Sequence, residues 1–160
     1  MMEKLFIVCV EDQVEVLNTI SEQLSYFEEY VTVEECETAV EAIELLSDIE
    51  RKGNLTAVVV SDHVMPGMTG VDFFINLKSD QRFKRIKKVL LTGQATHADT
   101  IDAINNAQID FYIEKPWKSE SLIEKVSILL TRYIVESGLP YEPLATVLHK
   151  PTLFNLLKER

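Results

Sequence analysis

Cysteine, glycine and proline are all scarce in this sequence, and their scarcity excludes several classes of protein. Only two cysteines, Cys9 and Cys36, occur among 160 residues. Neither stands at the spacing of a metal-binding pair, so we expect no disulfide framework and no zinc site, but two buried free thiols. Five glycines and five prolines are too few for a collagen-like or low-complexity chain.

Positive charge is scarce as well. The chain has 16 lysines and arginines against 26 aspartates and glutamates, which gives a net charge of −10. A constitutive nucleic-acid or anionic-membrane binder needs a basic face, so we expect no direct nucleic-acid contact. The basic run over residues 82–88 is expected to be a solvated face. The first apolar run, Leu5–Val10, is far shorter than the roughly 20 residues of a membrane span, and we expect a cytoplasmic protein without membrane contact.

Short β-rich runs alternate with longer helical patterns along most of the chain. The predicted strands are Leu5–Val10, Val31–Val33, Thr56–Val60, Val89–Leu91 and Asp110–Ile113. The predicted helices are roughly Gln13–Phe27, a helix opened by Thr38 and ended by Gly53, Val71–Leu77, Ala98–Asn106 and Ser119–Val135. Five β–α units in strict alternation predict an α/β fold, a doubly wound five-stranded parallel sheet with right-handed crossovers.

Residues 136–160 break this alternation. A glycine and three prolines interrupt the pattern before a short apolar segment, Leu153–Leu157, closes the chain. We therefore predict one domain over residues 1–135, followed by a linker and a short helical C-terminal extension over 136–160. The last long helix carries a second apolar stripe beyond what one sheet face needs, and both dimerisation and packing by this tail would cover it.

Polar side chains follow four of the five predicted strands where each strand ends. The first strand runs into Glu11 and Asp12, the third into Asp62, the fourth into Thr92, and the fifth into Lys115. In an open parallel sheet, ligands bind beyond the carboxyl ends of the strands. We therefore expect three carboxylates, one hydroxyl and one ammonium group to converge on a single edge of the fold.

These residue types indicate phosphoryl transfer. Clustered carboxylates repel one another, and a hard divalent cation relieves the repulsion. Mg²⁺ takes oxygen ligands at about 2.0–2.1 Å and binds through one or two carboxylates together with phosphate oxygens. Asp62 can act as a nucleophile and form an acyl phosphate. Mg²⁺, Lys115 and the Thr92 hydroxyl would then neutralise and hydrogen-bond the phosphoryl oxygens.

Four segments in order carry a resemblance to a known family. They are IVCVEDQ at residues 7–13, VVVSDHVMPGMTG at 58–70, LLTG at 90–93 and EKPW at 114–117. At these spacings the chain resembles, over about residues 3–135, the receiver domain of two-component response regulators. The resemblance implies a flavodoxin-like (βα)5 fold with strand order 2-1-3-4-5.

The resemblance also implies how the phosphorylation site is built. Asp62 would be the phosphorylated residue, and Glu11 and Asp12 would be the acidic pair that holds Mg²⁺ together with Asp62. The backbone carbonyl of Val64, two residues beyond the nucleophile, would be a further metal ligand.

Three more residues match the switch machinery of the family. Thr92 would be the switch hydroxyl, and Lys115 would be the ammonium group that pairs with the phosphate. Tyr112 would be the switch aromatic, which turns inward when Thr92 moves to the phosphoryl group. The peptide bond between Lys115 and Pro116 is expected to be cis, as is typical of the family.

By this resemblance the protein is a phosphorylation-dependent switch and not an enzyme in the usual sense, although the domain would assist its own phosphorylation and hydrolysis. A histidine kinase or a histidine phosphotransfer protein would supply the phosphoryl group. Phosphorylation would shift the conformational equilibrium of the surface formed by the helix at 98–106, the fifth strand and the last long helix. A homodimer could form through the same surface. Output would come from a fused or a separate domain, since residues 136–160 are too few for a DNA-binding domain.

Three alternatives remain open at this point. An unphosphorylated pseudo-receiver would serve only as an interaction module, against which the intact acidic pair and Lys115 argue. A dehalogenase-type phosphatase also uses an aspartate nucleophile with Mg²⁺, but it carries a second aspartate where this chain has Val64. A flavodoxin-like cofactor binder shares the architecture, yet Glu11 and Asp12 would repel a phosphate there.

Overall fold

The structure is a computed structural model that describes residues 3–93, 101–102 and 105–159. A five-stranded sheet forms its centre. The strands are β1 (Leu5–Val10), β2 (Thr32–Cys36), β3 (Leu55–Asp62), β4 (Lys87–Thr92) and β5 (Phe111–Glu114). Their order is β2-β1-β3-β4-β5, and every neighbouring pair is parallel. The predicted α/β class, the doubly wound sheet and the strand order 2-1-3-4-5 are confirmed.

Helices cover both faces of this sheet. They are α1 (Val14–Leu24), α2 (Ala39–Arg51), α3 (Gly70–Ser79), α4 (Ser119–Glu136) and α5 (Lys150–Lys158), with short 3-10 helices at Ser25–Phe27 and Glu142–Leu144. Of the helix predicted at Ala98–Asn106, residues 101–102 and 105–106 are helical, and the others lie outside the described residues. Within the described part of the chain, no helix combines the length and apolarity needed to cross a bilayer.

The inner strands are apolar because both of their faces are covered. Alternate residues of β1 point to opposite sides, so that Ile7 packs in the core beneath α1 and α4, while Val8 packs in the core beneath α2 and α3. The edge strand β2 pairs only with β1 and extends to Cys36, beyond the predicted Val33. An edge strand tolerates charged residues such as Glu34 and Glu35, which lie within the observed strand.

Local sequence sets where two of the helices begin. The Thr38 hydroxyl caps α2 by accepting the backbone N–H of Glu41 at 3.1 Å, as its spacing from Glu41 predicted. Thr69 caps α3 in the same way, through the N–H of Asp72 at 3.1 Å. The second cap fixes the loop that leads from β3 into α3.

The prediction that the whole basic run at 82–88 is solvated is wrong for Lys88. It lies inside β4 and is 2% exposed, while Asp110 accepts its backbone N–H at 2.7 Å. Burial lowers the pKa of the Lys88 ammonium group, and the nearby Asp110 charge acts in the opposite direction. Both cysteines are buried free thiols, as predicted, and burial raises the pKa of each.

The tail packs against α4. Ser127 donates its hydroxyl to the carbonyl of Val147 at 2.8 Å, and the Thr131 hydroxyl accepts the N–H of His149 at 2.9 Å. Three apolar tail residues are buried in the same core cluster as the second stripe of α4: Val147, Leu148 and Leu153. Of the two coverings left open by the sequence, the structure shows packing by the tail. The division into 1–135 and 136–160 stays a prediction.

Replacing Gly70 with alanine should destabilise the fold. A Cβ there would collide with the carbonyl oxygen of Asp62 and would lie 2.9 Å from Cδ1 of Leu90. Overpacking of this kind costs about 1–3 kcal/mol, which urea denaturation would measure as a lower free energy of unfolding. Gly93→Ala is the control, because no described heavy atom lies within 4 Å of its added Cβ. Equal stability of the two variants would contradict this account of Gly70.

Thr131→Val should loosen the tail. The substitution removes the acceptor of the His149 N–H and leaves that donor unpaired, at a cost of about 1–3 kcal/mol in unfolding free energy. Amide hydrogen exchange at residues 147–153 should accelerate accordingly. Thr19→Val is the matched control, because the hydroxyls of Thr131 and Thr19 both donate to the backbone carbonyl four residues earlier, at 2.7 and 3.0 Å, but Thr19 is exposed on α1. Unchanged tail protection in Thr131→Val would show that this bond does not hold the tail.

Candidate functional site

The parallel register brings the carboxyl ends of four strands to one edge of the sheet. Neighbouring strands are aligned by three register pairs near their ends: Val10 with Ser61, Asp62 with Leu91, and Thr92 with Glu114. Two backbone hydrogen bonds continue the ladder past the strands, from His63 to Leu91 at 2.9 Å and from Lys115 to Thr92 at 2.8 Å. Residues far apart in sequence are therefore held side by side by backbone geometry.

Three carboxylates meet at this edge. Glu11, Asp12 and Asp62 each offer an oxygen, and these oxygens lie within 4.8 Å of one another. Glu11 and Asp62 are buried, at 0% and 5% exposure, while Asp12 is half-buried. A set made only of carboxylate oxygens suits a hard divalent cation of the Mg²⁺ type, whereas zinc sites are built mainly from nitrogen and sulfur. The donor set therefore fits the cation that the sequence predicted.

Lys115 reaches into the same cluster from the end of β5. Its Nζ lies 2.7 Å from Oδ1 of Asp62 and 3.0 Å from Oε1 of Glu11, so one ammonium group donates to two carboxylates. Such charge-assisted bonds are stronger than neutral ones. When all of these groups are ionised, three carboxylates and one ammonium group have a net charge of −2. A divalent cation would balance that charge.

The cluster shifts the pKa of two of its members. Burial is the largest effect on Glu11 and raises the pKa of its carboxyl group. The N–H of Gln13 and the ammonium of Lys115 oppose that rise, and the neighbouring carboxylates add to it. Burial alone would lower the pKa of Lys115, but its hydrogen bonds to Asp62 and Glu11 outweigh burial and raise it. Lys115 therefore keeps its positive charge at neutral pH.

The other three predicted site residues follow Asp62 along the chain or belong to β4 and β5. Thr92 is buried, at 3% exposure, at the end of β4, and its carbonyl accepts the backbone N–H of Lys115. Val64 is 74% exposed two residues beyond Asp62. Tyr112 is 41% exposed in the middle of β5, opposite Leu90 of β4, so a large part of its side chain faces solvent. The roles of these three residues stay predictions.

Several contacts that support the site are not evident from the sequence. The Ser61 hydroxyl donates to the carbonyl of Asp62 at 2.9 Å, and Gly70 leaves the space into which that carbonyl points. Trp117 donates its indole N–H to the side chain of Gln23 at 2.8 Å, which ties the turn after β5 to α1. The Lys115–Pro116 bond in that turn is cis, as the resemblance implied. Gly70, the second of the two glycines in the motif at 58–70, is the one signal in the sequence for the close approach at Asp62.

Comparison with known proteins gives relatives that share this arrangement of elements. The family model of the response regulator receiver domain matches residues 7–127. The chemotaxis protein CheY1 of Helicobacter pylori is 36% identical over 101 residues, which cover 63% of this chain and 77% of that protein. The hybrid signal transduction histidine kinase D of Dictyostelium discoideum is 34% identical over 129 residues, or 80% of this chain, but the chain spans only 8% of that relative's length.

Solved structures show the same fold. A CheY-like response regulator receiver domain protein from Methanospirillum hungatei has a TM-score of 0.70 at 24% identity, covering 84% of this chain and 99% of that one. The signal receiver domain of an HD domain-containing protein from Pseudomonas fluorescens has a TM-score of 0.73 at 23% identity, covering 86% and 95%. Since the family model matches residues 7–127, which are most of the chain, this chain belongs to the response regulator receiver domain family.

Proposed function

We propose that this receiver domain works as a signalling switch in which Asp62 accepts a phosphoryl group in a Mg²⁺-dependent reaction. The observation that supports this most is the position of Lys115, whose ammonium group lies within hydrogen-bond distance of both Asp62 and Glu11. An ammonium group fixed beside the nucleophile stands where negative charge develops on the incoming phosphoryl oxygens. Receiver domains are signalling modules and not classical enzymes. Phosphorylation of Asp62 would therefore serve to change the conformation of the domain and not to make a product.

In the proposed reaction, a carboxylate oxygen of Asp62 attacks the phosphorus atom of a phosphohistidine. The new O–P bond forms an acyl phosphate, the P–N bond breaks, and the histidine nitrogen keeps the electron pair. Because Oδ1 of Asp62 is already bonded to Lys115, the carboxylate is held in one orientation before the donor arrives. The donor would be a histidine kinase or a histidine phosphotransfer protein.

Glu11, Asp12 and Asp62, with the carbonyl of Val64, would hold the cation. Mg²⁺ would supply the positive charge that the phosphoryl oxygens and the three carboxylates need. Glu11 is fully buried and accepts the N–H of Gln13 at 3.1 Å as well as the ammonium of Lys115, so its carboxylate is fixed by protein contacts. Asp12 is half-buried, so its carboxylate is more accessible than that of Glu11 and would bind the cation directly or through water.

The conformational change caused by phosphorylation would extend from Asp62 to the protein surface through β4 and β5. The phosphoryl group would draw the Thr92 hydroxyl inward, and Tyr112, which is partly exposed, would turn into the space that this movement opens. The face that changes would comprise the helical residues 101–102 and 105–107, β5 and α4. A partner, a fused output domain or a second copy of the chain would read that face.

Asp62→Asn should abolish phosphorylation. Incubation of the wild-type chain with acetyl phosphate and Mg²⁺ should add one phosphoryl group, visible by intact-mass spectrometry, because a carboxylate oxygen is available as nucleophile. The amide of the variant is not a comparable nucleophile and should add none. Asp72→Asn, which changes an exposed aspartate at the start of α3, should be modified like the wild type. Modification of Asp62→Asn to the wild-type extent would place the phosphoryl group elsewhere.

Lys115→Ala should separate cation binding from phosphorylation. Mg²⁺ titration, followed by the fluorescence of the single tryptophan, Trp117, should give an affinity at least equal to that of the wild type, because no ammonium competes for the carboxylates. The rate of phosphorylation by acetyl phosphate should fall about 10²–10³-fold, the usual loss for one missing donor to a developing oxyanion. Lys118→Ala, an exposed lysine three residues on, is the control. An unchanged rate in Lys115→Ala would remove the proposed role of this residue.

A further inference from the structure

A groove of about 700 Å³ lies at the edge of the sheet opposite Asp62. It runs between the first residues of β1 and β2, the loop at 28–31 and the tail segment 139–144, and we refer to it as the basal groove. Its volume is within the range of about 300–1,000 Å³ that is typical of pockets that hold a ligand. It is separate from the carboxylate cluster, which lies at the carboxyl ends of the strands.

The floor of the basal groove is apolar. Leu5, Tyr30, Leu55, Leu139 and Leu144 line it, and all five are only partly buried although they pack against the main core cluster. The hydrophobic core is therefore open to solvent along this groove. Pockets that hold a ligand are lined mainly by apolar side chains together with a small number of polar groups.

The rim of the basal groove is acidic. Glu3, Glu28 and Glu29 border it and are exposed, and Lys4 is the only basic residue among its described lining residues. An apolar floor with an excess of negative charge at its rim complements a chain that carries aliphatic side chains next to lysines or arginines. It repels nucleic acid, and it also repels a second copy of this chain, whose net charge is −10.

Most of the basal groove comes from residues outside the matched receiver segment. The family model matches residues 7–127, whereas residues 3–5 and 139–144 supply two of the walls. The tail wall is fixed in place, because Ser127 and Thr131 of α4 bond to the tail segment that follows it, at Val147 and His149. The groove is therefore preformed, and a ligand would not need to order it.

We propose that the basal groove binds a short extended segment of a partner protein in which aliphatic residues alternate with lysine or arginine. The aliphatic side chains would cover the floor at Tyr30 and Leu144, and the basic side chains would pair with Glu28 and Glu29. This docking site does not depend on phosphorylation of Asp62, and it would hold a partner near the domain in both signalling states.

The test uses the 160-residue chain labelled with ¹⁵N and a blocked hexapeptide of alternating lysine and leucine as probe. Saturable amide shift changes are expected at residues 28–32 and 139–144, and the glutamate–leucine counterpart should give none. Glu28→Lys/Glu29→Lys should weaken binding about tenfold, since two weak attractions become two repulsions. The control Glu120→Lys/Glu124→Lys makes the same charge change on the exposed side of α4 and should change affinity less than about threefold.

The proposal would be overturned by the absence of saturable binding of the lysine–leucine peptide, by shift changes outside the basal groove, or by an equal loss of affinity in the control variant. Shifts at the groove that grow with protein concentration and without peptide would indicate a second copy as occupant and would also overturn it. The Glu28/Glu29 variant should still be phosphorylated by acetyl phosphate at the wild-type rate. Failure of phosphorylation in the wild type would leave this peptide result unaffected, so the two proposals can fail separately.

Discussion

The ion pair network of Lys115 with Glu11 and Asp62 is the interaction on which the site depends. A buried carboxylate is costly unless it is paired, and two of the three carboxylates at this edge are buried. One ammonium group satisfies part of that demand and leaves the cluster with an excess of negative charge. The same excess of negative charge that destabilises the cluster would attract a divalent cation, and in the proposed function that cation and Lys115 would together stabilise a phosphoryl group on Asp62.

The fold produces this network through register and close packing. The ladder between β3, β4 and β5 holds Asp62, Thr92 and Lys115 in line, and Gly70 lets α3 begin directly against the end of β3. The cost of crowding charge at one edge is met by an apolar core on both sheet faces. At the other edge the tail adds surface outside the matched receiver segment. The proposed phosphorylation site and the proposed docking groove thus lie at opposite ends of the strands of one sheet.

Much of the architecture could be predicted from the sequence, because buried strands and capped helices leave local signals. The alternation of apolar runs with helical patterns predicted five parallel strands. The polar residues that follow those strands predicted the cluster around Asp62. The burial of Lys88 could not be predicted, because nothing near a lysine in a basic run indicates the contact with Asp110, which lies 22 residues later, just before β5. The packing of the tail on α4 depends on contacts such as Ser127 with Val147, 20 residues apart, that no periodicity shows.

A crystal structure of the chain grown with Mg²⁺ and beryllium fluoride, a phosphoryl mimic, would test the central claim most directly. The account predicts beryllium bonded to a carboxylate oxygen of Asp62, Mg²⁺ about 2.0–2.1 Å from oxygens of Asp12 and Asp62, and the ammonium of Lys115 donating to fluoride. A structure in which Mg²⁺ binds away from these carboxylates, or in which Lys115 still bridges Glu11 and an unmodified Asp62, would contradict it.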